Sequence, residues 1–142
     1  MIEKPTHLPF DSTLAQTGFI WLLRIVSLYC LAAGVGYWVQ IMGYYDGLLW
    51  RFDLMPWQWK VASVSLAMLF PVAATGLWMM VSWGPVIWFV AAAGETLMFT
   101  VFWEYFYYRP AIAVIHGCVA LLYIAFRIVL LLQKRQQAMP QR

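Results

Sequence analysis

Four apolar stretches, each about as long as a bilayer core is thick, dominate this sequence. They run roughly over residues 19–43, 58–81, 85–106 and 110–132. Hydrocarbon offers backbone groups no water, so each amide must bond within its own segment and a long apolar run must be a helix. Composition agrees. The chain is 64% hydrophobic and 11% charged, whereas soluble domains sit near ~45–50% and ~25%. The 142 residues then leave only short tails and loops, which makes residues 1–142 a single membrane domain. The expected fold is all-α, a polytopic membrane protein built as an antiparallel four-transmembrane-helix bundle.

Connections set the order. Ser82–Gly84 and Tyr107–Arg109 are tight, which forces antiparallel neighbours. Pro85 and Pro110 suit the first turn of a helix, where a missing N–H goes unnoticed. Residues 44–57 are mostly aromatic or aliphatic and read as an outer loop lying in the headgroup layer. Lys4, Lys134, Arg135 and Arg142 mark one side; Arg51, Arg109 and Lys60 mark the other. Cations accumulate on the cytoplasmic side, so both termini are expected there, in a multi-pass protein of the bacterial inner (cytoplasmic) membrane. Tyr37, Trp38, Trp50, Trp57, Trp59, Trp103 and Tyr105 map to the outer interface, and Trp21, Trp78, Trp83 and Trp88 to the inner one.

Several classes drop out. The Glu3, Lys4, Pro5 and His7 tail is unlike a secretory signal, so the first apolar run is expected to be a span. Cys30 and Cys118 fall in apolar stretches, read as small buried residues, and form no CxxC or Cys/His metal pattern. The dispersed cations make no nucleic-acid surface. No hydrolase triad, metal-ligand pair or phosphate-binding glycine loop is visible, so no catalytic or metal site is assigned.

Ionisable groups at membrane depth usually face the protein interior. Glu95, inside AAAGETLMF, is the most demanding. It is open to two roles, an interhelical hydrogen-bonding group or a carboxyl linked to protons or substrate. Arg24 is the first choice of counter-charge for it. Glu104 lies half a helical turn out of phase with Glu95 and is expected to meet Lys60, Arg109 or water. His116 shares a helix face with Ala120, Tyr123 and Arg127, and is expected to hydrogen-bond near Glu104; haem ligation is the alternative. Arg127 lies at the depth of Arg24 and can snorkel. Pro71 interrupts the second span beside a small-residue face of Ser63, Ala67 and Ala74. Trp50, Arg51, Asp53, Trp57 and Trp59 form a candidate interface or partner surface.

The stretches Leu48–Trp88, Tyr29–Tyr45 and Leu121–Arg135, above all WRFDLMP and SWGPVIW, resemble a family of small four-span inner-membrane proteins of Rhizobiales-type alphaproteobacteria, a domain of unknown function. That resemblance implies topology and location, and no catalytic residues. A weaker likeness, carried by Arg24 to Gly36, is to DoxX-type membrane proteins and implies a redox-accessory role. The expected function is non-enzymatic, an accessory or scaffold subunit of an envelope or respiratory membrane complex. The alternatives are a small proton-coupled transporter using Glu95, or a quinone-, lipid- or haem-binding redox accessory. No cofactor is required, though haem and quinone stay open. Expected partners are the lipid bilayer and other membrane proteins or further copies of the chain.

Overall fold

The computed structural model describes residues 10–138, which form four helices: α1 Phe10–Met42, α2 Trp57–Trp78, α3 Trp83–Thr100 and α4 Pro110–Ala138. Lys4, His7 and Arg142 lie outside the described residues. Three segments, Leu14–Met42, Trp57–Trp78 and Pro110–Gln136, are long and apolar enough to cross a membrane. The exception is α3. Its 18 residues extend ~27 Å, short of a ~30 Å hydrocarbon core. The α1–α2 and α3–α4 connections share one end of the molecule, and the α2–α3 connection closes the other.

α1 and α2 make the most extensive pairing, and proline chemistry explains its specificity. Pro71 has no N–H, so the Ala67 carbonyl one turn earlier loses its helical donor. The Trp38 indole of α1 supplies the replacement at 3.0 Å, and Ser27 Oγ donates to the Ala74 carbonyl at 2.7 Å. α2 therefore continues through Pro71. Its small face, with Ser63, Ala67 and Ala74, is buried as packing predicts. Gly34 lies directly against the Pro71 ring, where a Cβ would come within 2.7 Å of Cγ and Cδ.

The α2–α3 connection is a Schellman cap. Val81 N–H donates to the Gly76 carbonyl and Met80 N–H to the Leu77 carbonyl. Met80 takes the left-handed position, with φ of 54°. Gly76 and Gly84 let the two backbones touch, with the Trp83 ring against Gly76.

α3 ends at Thr100 rather than near residue 106. The amides of Val101 and Phe102 both return to the Leu97 carbonyl, and Arg109 N–H donates back to Phe99. Trp59 of α2 clamps this fold-back by donating its indole N–H to the Tyr105 carbonyl at 3.1 Å. That bond draws Trp59 into the interior at 5% exposed, while Trp57 stays 71% exposed. Trp88 is likewise buried in the core instead of lying at an interface. α4 packs least: His116 is its one fully buried residue among those described, and Cys118 is exposed, not buried as expected.

Candidate functional site

The buried face of α1 recurs every three to four residues through Leu23, Val26, Ser27, Cys30, Gly34 and Tyr37. Tyr37 therefore points inward. Its hydroxyl donates to Glu95 Oε1 at 2.7 Å. The second carboxylate oxygen, Oε2, lies 2.8 Å from His116 Nε2. Three helices thus meet at one carboxyl group, with Tyr37 from α1, Glu95 from α3 and His116 from α4. Glu95 and His116 are each 5% exposed and Tyr37 8%.

The early end of α3 makes this meeting possible. Glu95 lies five residues before Thr100 and His116 six residues after Pro110, so each is ~8–9 Å from its end of the connection. Their depths match.

The expected partners are corrected accordingly. Arg24 does not reach Glu95. It lies 13 positions before Tyr37 on α1, ~20 Å away along the axis. Its guanidinium instead covers the Trp21 and Trp78 rings at 5.9 and 5.5 Å. His116 bonds Glu95, not a group near Glu104. Glu104 has left the helix, is exposed, and has no ion pair among the described residues. Of the α4 stripe, Tyr123 packs half-buried against Phe19 at 5.6 Å, and Arg127 is exposed.

α2 adds no titratable group to the centre but encloses it. Phe70, fully buried, stacks on Tyr37 at 6.1 Å and on His116 at 6.4 Å. Tyr29 meets the His116 ring edge-on at 5.9 Å, and Trp88 lies 6.3 Å away. On this side the aromatic rings lower the local polarity, strengthening satisfied hydrogen bonds and penalising any uncompensated charge. No lysine or arginine forms an ion pair with Glu95 among the described residues.

Entry is available. A cavity of about 320 Å³ runs from Glu95 and Tyr37 past Gln40 and Trp59 to Trp50 and Arg109 at the α1–α2 end. The Gln40 side-chain oxygen is buried without a hydrogen-bond partner. A second, carbon-lined groove of about 400 Å³ lies between α3 and α4 on the other side of His116. At the rim, Arg51 makes a two-bond ion pair with Asp53, at 2.7 and 3.2 Å. This hydrogen bonding holds the Asp53 carboxyl below the usual carboxylate range. Among the described residues no three His, Cys, Asp or Glu side chains gather to hold a metal ion.

The family model of DUF6163, a family of unknown function, matches residues 17–134. The chain belongs to this family. The match spans all three members of the Tyr37–Glu95–His116 centre and the lining of the cavity. No curated protein and no solved structure matches the chain.

Tyr37 and Gln40 were not among the sequence candidates. The signal for Tyr37 was present in the α1 periodicity but masked by the general preference of tyrosine for interfaces.

Proposed function

We propose that this is a four-span protein of a bacterial cytoplasmic membrane, termini in the cytoplasm, that binds a small ligand from the outer side and couples binding to proton movement at Glu95. One observation carries the reading: a buried carboxyl group, held by Tyr37 and His116 and without a lysine or arginine ion pair among the described residues, lines a cavity that extends to the exposed Arg109. Buried groups arranged this way take up or release a proton when a charged ligand arrives. Although α3 is short, its first residue Trp83 and the aromatic segment after Thr100 supply interfacial side chains at its two ends. A protein of this class is a small proton-coupled transporter or exchanger. In proteoliposomes, a panel of small metabolites should include one that evokes a proton-linked current, and Glu95→Gln should abolish it. Currents that persist in Glu95→Gln remove this reading.

The exposed flank of α4 favours a second reading, the accessory or scaffold subunit of an envelope or respiratory complex. A helix that buries only His116 among its described residues has ample surface for a neighbouring membrane helix. Stoichiometric co-purification in mild detergent supports it; a lone monomer under gentle conditions removes it.

A further inference from the structure

The lining of the cavity has a chemical direction. Its deep part offers hydrogen-bond acceptors: the Glu95 carboxylate, with lone pairs beyond the two already engaged, the Tyr37 oxygen, and the unpartnered Gln40 carbonyl one turn higher. Its mouth carries the opposite character. Arg109, exposed on the α3–α4 connection, contributes five N–H donors and a permanent positive charge. Trp50 and Trp59 form walls between the two ends.

A ligand matched to both ends has a cation to go in first and an anion to stay behind. We propose that the cavity binds a small zwitterion, an amino acid or a related ammonium carboxylate, with its ammonium group at Glu95 and Gln40 and its carboxylate at Arg109. An indole wall suits the ammonium end through cation–π attraction. An anion alone would meet the Glu95 carboxylate, and a simple cation would have to pass Arg109. The inference rests on the proton-linked reading of Glu95. It adds that the ligand ammonium replaces the proton held at the Glu95–His116 pair, which leaves for the outer medium. The other groups facing Glu95 are Tyr29, Cys30 and Tyr37 on α1; α2 presents Phe70, which does not titrate.

The test is calorimetric titration of the full chain in nanodiscs with linear amino acids from glycine to 6-aminohexanoate. The series varies the spacing of the two charges. The alkylamine and the alkyl carboxylate of each length serve as probes of the separate ends. At least one amino acid should bind about tenfold more tightly than either single-charge analogue of its length, and more weakly as pH falls. Arg109→Gln should bring that amino acid down to the affinity of the amine, Arg109→Lys should restore part of the difference, and Glu95→Gln should remove both. Equal binding of the carboxylate analogue, indifference to Arg109→Gln, or no binding by any member of the series overturns the zwitterion site. Whether Glu95 and His116 exchange a proton at all is read separately, from pH-difference infrared spectra of the wild type against Glu95→Gln. Spectra with a carboxyl band but no zwitterion binding overturn the ligand class alone. Spectra without one overturn the underlying reading as well.

Discussion

Tyr37 contributes one hydroxyl to the centre, and that hydroxyl is the most direct probe of it. Tyr37→Phe keeps the ring stacked on Phe70 and removes only the donor to Glu95. A hydrogen bond of this kind contributes about 0.5–1.5 kcal/mol, so the variant should lose about that much stability in a detergent unfolding titration. Arg24→Gln supplies the contrast. It removes the guanidinium from Trp21 and Trp78 and should leave the infrared signature of Glu95 unchanged; a shift of that signature would place Arg24 in the centre after all. Met80 stores strain of a different kind. Its φ of 54° puts a side chain in a conformation that costs about 1–2 kcal/mol. Glycine is relieved of that strain but loses more entropy on folding. Met80→Gly should therefore raise stability by about 0.5–1 kcal/mol, read as a higher unfolding midpoint.

The packing of α1 on α2 turns on a single close approach. A Cβ on Gly34 would press into the Pro71 ring at 2.7 Å, whereas one on Gly94 would meet nothing within 4 Å. Gly34→Ala should therefore destabilise by about 1–3 kcal/mol, the usual penalty of overpacking. Gly94→Ala should stabilise by about 0.5–1 kcal/mol, because alanine loses less entropy in a helix. Equal effects of the two would show that α1 and α2 do not meet at Gly34. The 43–56 connection behaves differently, being held at its surface by Arg51 and Asp53. The Asp53 carboxyl is depressed below its unfolded value, so its pairing is present above the unfolded pKa, near ~3.9, and is lost as pH falls through the lower folded value. The pair is fully solvated, and screening makes its contribution small. Asp53→Asn should lower the unfolding midpoint at neutral pH only slightly, and the difference from wild type should vanish as pH falls below the folded pKa of Asp53.

For the whole molecule, the proposed four-span topology with both termini in the cytoplasm makes a clean demand. Cysteines placed at Tyr44 and at Arg135 in a background lacking Cys30 and Cys118 should label from opposite sides of sealed vesicles. Labelling of both from one side would remove the topology. Much of the architecture was legible before any coordinates. The long apolar runs, Pro110 as a helix start, the small face around Pro71 and the burial of Glu95 all follow from local residue chemistry. The end of α3 was not legible, because residues 101–106 are as apolar and aromatic as a helix in lipid. Only the Trp59 bond to Tyr105 and the Arg109 bond to Phe99 show why the chain turns back there. With that end misplaced, Glu95 and His116 appear at different depths and Arg24 looks like the nearer partner. What the sequence determined by itself is that its segments must be helices, since apolar runs of this length leave backbone groups no other way to bond. Which side chains share a hydrogen bond was decided by the tertiary structure, because that depends on where each helix stops, and a helix stops where a neighbouring element captures its loose end.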